Sequence, residues 1–347
     1  MVLIAKKRKK CSKKCKVKRK ISKLRKKPSF IQEPSCPIGV GLRHSHYSQA
    51  LASDLSSSDS SQSGSEENLT QIDFVEVHAE NFFAAGGATQ SLIQDIAQKF
   101  PLSVHGTSLG LGSSMPVPKD ILQKFTQLVN DTQPMLVSEH LCFNRANVNG
   151  KILHSGDLLP IAYNTESLNT IVSHIQQVQE SIQRPLLIEN LSAYIAPSQL
   201  DPHSKDEMTE FQFLVSMCDA AGCGLLLDLN NLIINELNRK SLDPLALIQT
   251  RLDELPTHMV GEIHLAGFTQ PLNSNEETSH TAQFIIDDHG APVSEQCWQL
   301  YQYALQKFPG TPTLIEWDTH IPEWSVLLEE ANKARSFAKS AELSERS

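Results

Sequence analysis

No stretch of this 347-residue sequence approaches the ~20 consecutive apolar residues of a membrane-spanning helix. Its start is Lys-rich and lacks the apolar h-region of a secretory signal. Repeat, collagen and coiled-coil periods are absent. Cysteine is scarce. The seven residues Cys11, Cys15, Cys36, Cys142, Cys218, Cys223 and Cys297 are odd in number and irregular in spacing. That argues against a disulfide framework and for reduced thiols in a cytoplasmic protein. Cys11 and Cys15 look like half of a metal site, but no second Cys/His pair lies nearby.

Negative charge is missing from the first 27 residues, which hold 15 Lys/Arg and no Asp/Glu. Taking those 15 from the total of 31 leaves 16 basic residues against all 39 acidic ones, a net charge of −23 for the rest. An acidic body of this kind is not a general nucleic-acid binder. The self-repelling basic block at 6–27 predicts a disordered tail over 1–36. Residues 53–67 contain 8 Ser and read as a flexible loop inside the domain. A short disordered end is expected at 339–347, which leaves 37–338 as a single domain with ordinary globular composition.

That domain has a regular cadence. Eight short β-rich runs fall at 38–42, 72–77, 102–105, 135–138, 186–189, 224–229, 259–265 and 313–316. Amphipathic stretches of helical length lie between them, at 91–100, 119–129, 166–182, 207–221, 244–252, 294–308 and 323–338. Asp120 and Asp243 stand where helix starts favour an acid. Eight strands alternating with helices predict an α/β fold, the (β/α)8 TIM barrel. A doubly wound sheet is the runner-up, weakened because no glycine-rich dinucleotide fingerprint follows the first strand.

In such a barrel the chemistry sits at the C-terminal strand ends. Every expected strand carries an imidazole or carboxylate there. The first is followed by Arg43, His44 and His46. The second carries Glu76 and His78, then Glu80. The third ends at His105, the fourth at Glu139 and His140, the fifth at Glu189 and Asn190. The sixth ends at Asp228, with Asn230 and Asn231 beyond. The seventh carries Glu262 and His264, and a later loop holds Asp287, Asp288 and His289. The eighth ends at Glu316, followed by Asp318. Burying so many ionisable groups in one funnel costs several kcal/mol per unpaired charge, which bound cations offset. A site for two or three metal ions is therefore expected. The set offers only nitrogen and oxygen, which suits iron, manganese or zinc and disfavours an iron–sulfur cluster. Cys142, close by, reads as a small apolar filler.

The order of these residues on strands three to eight resembles the trinuclear site of endonuclease-IV-type barrels, within the xylose-isomerase-like superfamily. That resemblance implies His105, His140, Glu189, Asp228, His264, Asp287, His289 and Glu316 as ligands. Asn231 stands where those endonucleases have a His. His46, His78, Glu80 and Glu139 are further candidates as ligands or their supports.

The segments GVGLRHSHY, FVEVHAENFF, LSVHGTSLGLGS, VSEHLCFN, GDLLPIAY, LLIENLSAYI, CGLLLDLNN, GEIHLAGF, IDDHGAPV and PTLIEWDTHIP cover nearly all of 37–335. They resemble the multinuclear non-haem iron-dependent oxidative enzymes, relatives of the catalytic subunit that matures methanobactin. The resemblance implies two to three iron ions, mixed Fe(II)/Fe(III), and O2-dependent oxidation of cysteines in a ribosomally made precursor peptide. It also implies a companion protein that binds the peptide's leader. Arg43, Asn190 and Asn230 are candidates for orienting ligands or peptide. The alternative class is a zinc- or manganese-dependent hydrolase or isomerase. In the Asp-x-His segment an extended loop turns Asp287 and His289 to one side and Asp288 to the other.

Overall fold

The computed structural model describes residues 36–52, 72–84, 86–269 and 284–345. The basic run at 6–27 with Cys11 and Cys15, and the Ser-rich stretch at 53–67, lie outside the described residues.

Period-2 alternation organises the barrel. In β2 (Phe74–His78, FVEVH), Val75 and Val77 join the main apolar core, while Phe74, Glu76 and His78 alternate with them. The same rhythm runs through β3 (Leu102–Gly106), β4 (Leu136–His140) and β9 (Val260–Leu265). With β1 (Ile38–Gly41), β7 (Leu187–Glu189), β8 (Gly224–Asp228) and β10 (Thr313–Ile315) these strands close into a parallel barrel in the order β1-β10-β9-β8-β7-β4-β3-β2. All eight expected runs are barrel strands, and the fold is the (β/α)8 barrel. Inside, Phe74, Leu136, Leu187, Leu226 and Leu314 form an apolar cluster distinct from the main core. Above it, two residues further along β2, β8 and β10, stand Glu76, Asp228 and Glu316.

The surrounding helices follow their apolar stripes. The helix Thr165–Ile182 buries Ile171, Ile175, Val178 and Ile182 at helical spacing, and the Asn164 side chain caps it by accepting from the Ser167 N–H at 2.9 Å. Asp243 caps Pro244–Leu252 in the same way, and Asp120 lies in the first turn of Lys119–Thr132.

Three features depart from the sequence reading. An antiparallel hairpin, β5 (Phe143–Val148) and β6 (Lys151–Leu159), is inserted after β4. Its two-residue turn, Asn149-Gly150, has φ of 52° and 80°, the pairing that type I′ hairpins favour. A helix, Leu229–Asn238, starts directly on Asp228, so Asn230 and Asn231 are helical residues. The last helix, Trp324–Glu345, carries helical structure past the boundary expected at 338.

Candidate metal centre

Strand register assembles the cluster. His105 is paired with both His78 and Ser138, His140 with Glu189, and Asp228 with His264. Glu316 follows the last residue of β10, where its N–H is bonded to the Leu265 carbonyl at 2.9 Å. His105, Glu189, Asp228, His264 and Glu316 are all buried.

Among the described residues five overlapping groups could hold an ion, two of them Glu76 with Glu262 and His264, and Glu76 with His78 and Glu316. In the first of the other three, His105 Nε2 and His140 Nε2 each lie 3.3 Å from Glu189 Oε2. Both rings are tied to the frame through the other nitrogen. His105 Nδ1 is 2.8 Å from Ser138 Oγ, and His140 Nδ1 donates to the Gly106 carbonyl at 3.1 Å. Burial, then neighbouring His140, keeps His105 well below the usual imidazole range and so neutral. For His140 burial pushes down, but Glu189 and Glu139 outweigh it and carry the ring up to about 10. In the second group Glu189, Asp228, His264 and Glu316 bring one ligand atom each within 4.8 Å of one another. His264 Nδ1 is 2.9 Å from Glu316 Oε2. Burial raises Asp228 to about 7, whereas His289 and His264 override burial at Glu316 and hold it at about 2. In the third group His289 Nε2 lies 2.7 Å from Asp287 Oδ1 and 3.9 Å from Asp228 Oδ2, and its Nδ1 lies 3.3 Å from Glu316 Oε2 and 3.5 Å from Asp318 Oδ2.

The residues fit a bound cation. Glu189 Oε2 and Asp228 Oδ2 are buried without a hydrogen-bond partner. Leaving such groups unsatisfied is costly, and each points at a neighbour that is also a potential ligand. Glu189 and Glu316 each belong to more than one group, and a carboxylate has two oxygens with which to serve two ions. Every ligand atom is nitrogen or oxygen, the set that iron, manganese and zinc accept. Cys142 is fully buried, and burial pushes its thiol well above the ordinary range, consistent with a filler.

The eight residues named from sequence as ligands are thus brought together. The supporting candidates divide. His78 is near enough to Glu76 and Glu316 to share an ion with them, and burial and Arg43 bring its ring down to about 4. Glu80 and Glu139 serve another end. Glu80 Oε1 accepts from the Thr107 N–H at 2.9 Å, and Glu139 Oε2 from the Leu109 N–H at 3.0 Å, so they hold the loop after β3. Glu139 alternates with His140 and faces the other way. His46 sets Nε2 against the Pro322 carbonyl at 2.9 Å and its ring against Trp324, outside the ligand groups found among the described residues. Asn231 donates to the Asn190 carbonyl at 3.1 Å and leaves its buried Oδ1 unpartnered.

Of the orienting candidates, Arg43 holds Asp318 through Nε at 2.9 Å and through a second guanidinium nitrogen, with Glu316 at 3.6 Å. Asn230 donates to Asp287 Oδ1 at 3.1 Å and so positions a ligand. Asn190 orients the Asp228 backbone. Both halves of its amide are spent on the Asp228 backbone, Nδ2 to the carbonyl and Oδ1 from the N–H, each at 2.9 Å. Asp288 points away from the ligand groups, as alternation requires, but it is no bystander. It accepts from the Thr269 and Gly290 N–H groups at 2.9 and 3.3 Å, which clamps the loop on which His289 adopts φ 41°.

Sequence reading left several contributors unassigned. Arg145 donates to the Ser108 and Leu109 carbonyls at 3.1 and 2.8 Å and braces the loop after β3. Tyr194 Oη accepts from the Asp287 N–H at 2.8 Å. Glu76 and Glu262, both fully buried, face the Nε2 side of His264. Alternation with His78 and His264 was the available signal for these two; Arg145 and Tyr194 carry none in sequence.

Comparisons with known proteins agree with this geometry. Residues 37–339 match the profile of the family described as RiPP precursor modification enzyme MbnB/TglH/ChrH. A UPF0276 protein of Psychromonas ingrahamii is 36% identical over 304 residues, covering 87% of this chain and 94% of the relative. Another, of Acaryochloris marina, is 38% identical over 299 residues, covering 86% and 94%. Among solved structures, D-psicose 3-epimerase from Clostridium cellulolyticum H10 superposes with a TM-score of 0.51 at 11% identity, covering 88% of this chain and 99% of the epimerase, a likeness of fold alone.

Proposed function

Because the chain belongs to the MbnB/TglH/ChrH family of RiPP precursor modification enzymes, we propose that it oxidises cysteine residues of a ribosomally made precursor peptide at a centre of two to three iron ions. The observation that carries this reading is the set of buried His/carboxylate groups sharing Glu189 and Glu316, with ligand atoms that lack any other partner. His105, His140 and Glu189 would hold one ion. Glu189, Asp228, His264 and Glu316 would hold a second, and Asp287 with His289 a third. Iron held there would supply O2 chemistry and lower the pKa of a coordinating thiol.

The chain's own residues set up that chemistry. Ser138 and the Gly106 carbonyl fix the ring orientations of His105 and His140. Asn190 pins the Asp228 backbone, and Asn230 and Tyr194 hold Asp287. Arg43 keeps Asp318 beside His289. The mouth of the barrel, walled by the loop that Arg145, Glu80 and Glu139 brace, receives the peptide's cysteine. A leader-binding partner protein delivers the peptide. No helix among the described residues is long and apolar enough to cross a membrane, and the described cysteines are free thiols, as a cytoplasmic setting requires. The strongly acidic body disfavours a nucleic-acid substrate.

Anaerobic purification after iron-supplemented expression tests the proposal. Two to three equivalents of iron are expected, with O2 uptake and a mass change on a cysteine-containing precursor peptide supplied with the partner. Zinc or manganese alone, with no O2 uptake, overturns it and favours a hydrolase or isomerase.

A further inference from the structure

His105 and His140 both anchor Nδ1 on the frame and offer Nε2 to the cluster. His264 is turned the other way. Its Nδ1 faces Glu316 Oε2 at 2.9 Å, and its Nε2 lies 3.4 Å from Glu76 Oε2 and 3.8 Å from Glu262 Oε1. Carboxylates at these two positions are unusual for a barrel interior, which branched apolar side chains ordinarily fill. Glu76 and Glu262 are 0% exposed. Glu76 Oε1, both oxygens of Glu262 and His264 Nε2 itself have no hydrogen-bond partner, and the Ser103 hydroxyl reaches Glu76 Oε2 at 3.4 Å. Two buried carboxylates are retained where apolar side chains would pack at lower cost.

We infer that Glu76 and Glu262 are positioning residues of the metal centre: facing His264 Nε2, they would accept its proton's hydrogen bond when a cation binds Nδ1, and so commit Nδ1 to that cation. This rests on the metal-centre reading above and deepens it. An imidazole has one ligand lone pair when its other nitrogen carries the proton, so fixing that proton fixes which face of the ring binds metal. A carboxylate behind the ring also makes the ligand nitrogen more basic. The three histidines on β3, β4 and β9 would then use different anchors: a hydroxyl, a backbone carbonyl and a carboxylate pair. Only the last is charged, and it stands behind the ring of the group that contains three carboxylates.

The test uses the full chain, stripped of metal and titrated anaerobically with Co(II), whose visible band reports coordination, and with Fe(II). The variants are Glu76→Leu, Glu262→Leu and their Gln counterparts. The Leu variants should bind one equivalent about 10–100-fold more weakly and shift its Co(II) band, while the remaining equivalents bind as in wild type. The Gln variants keep an acceptor and should restore part of the affinity. The metal-free midpoint of thermal unfolding should hold or rise, because a buried carboxylate has been removed. Wild-type affinity and band in both Leu variants would overturn the inference. So would a fall in the metal-free midpoint as large as that of the loaded form, which marks a purely structural role. Should a Leu variant fail to fold, the Gln variant must still move the Co(II) band, or the inference is lost. Wild-type protein that takes up neither ion would overturn the metal-centre reading itself, a result distinct from normal loading in the variants.

Discussion

Replacing Asn190 by Ala separates a structural role from the substrate contact that sequence alone suggests. The side chain is 1% exposed and makes two reciprocal 2.9 Å hydrogen bonds with the N–H and carbonyl of Asp228, itself fully buried. Alanine leaves both Asp228 groups without these partners. A buried backbone group so orphaned costs about 1–3 kcal/mol, and two of them average roughly 4 kcal/mol. A water admitted into the space brings the loss towards 2 kcal/mol, the lower end of that range. At about 2–4 °C per kcal/mol for domains somewhat smaller than this one, the unfolding midpoint should fall by roughly 5–10 °C. Calorimetry on metal-free protein is the assay, because the bonds are made without any ion. Metal content should fall too, since Asp228 is both candidate ligand and helix cap, with Oδ1 accepting from the Asn231 N–H at 2.6 Å. An unchanged metal-free midpoint accompanied by weakened peptide turnover would refute this reasoning and return Asn190 to the substrate.

Three further outcomes follow from the geometry. His289→Ala removes the ring facing Asp287, Asp228 and Glu316; metal analysis should show about one equivalent fewer, of the three groups at most, with little change in metal-free stability, and full retention would count against the third group. Asp288→Ala should also reduce occupancy, more weakly, because the clamp on Thr269 and Gly290 is lost; occupancy equal to wild type would show the loop holds itself. Gly110→Ala places a Cβ 2.0 Å from Asn144 Oδ1 at a residue with φ of 53°; urea unfolding should register a loss of about 1–3 kcal/mol, and a neutral result would mean the loop after β3 yields freely. The pH dependence of one buried carboxylate can also be read. Burial pushes Glu236 up, but Ser241, Arg239 and Arg251 outweigh it and hold it below the usual range. Its stabilisation is therefore complete above the unfolded value near ~4.3 and is lost as pH falls through the lower folded value. Wild type and Glu236→Gln should differ in midpoint at neutral pH and converge in acid as the carboxyl protonates; a gap that does not narrow on acidification would refute the assignment.

Much of the site was legible because the barrel is built from strands whose alternation is written locally. LSVHG, LVSEH and GEIHL each place an imidazole two residues after a polar or acidic side chain, which assigns both to one face of a strand. The same rhythm distinguishes Glu139 from His140, and applied to FVEVH and GEIHL it reaches Glu76 and Glu262. The hairpin after β4 carried its own signal in Asn149-Gly150, but β6 is nearly all exposed and lacks the alternation by which strands were sought. Asn190, Asn230 and Asn231 look alike in sequence. They differ because Asn190, just after β7, faces the Asp228 backbone, while the helix that starts on Asp228 turns Asn230 towards Asp287 and Asn231 towards the Asn190 carbonyl.

By itself the sequence determined the (β/α)8 architecture, the acidic body and the pool of nitrogen and oxygen candidate ligands at the strand ends, because hydrophobic period, charge and chemical type are properties of neighbouring residues. Closure of the barrel decided the rest. Glu189 meets His105 and His140 because β7 pairs with β4 and not with its neighbours in sequence, β5 and β6. Glu316 meets His264 because β10 returns between β9 and β1. Which nitrogen of each ring faces the cluster depends on hydroxyls, carbonyls and carboxylates brought from other strands, and no spacing along the chain encodes those distances.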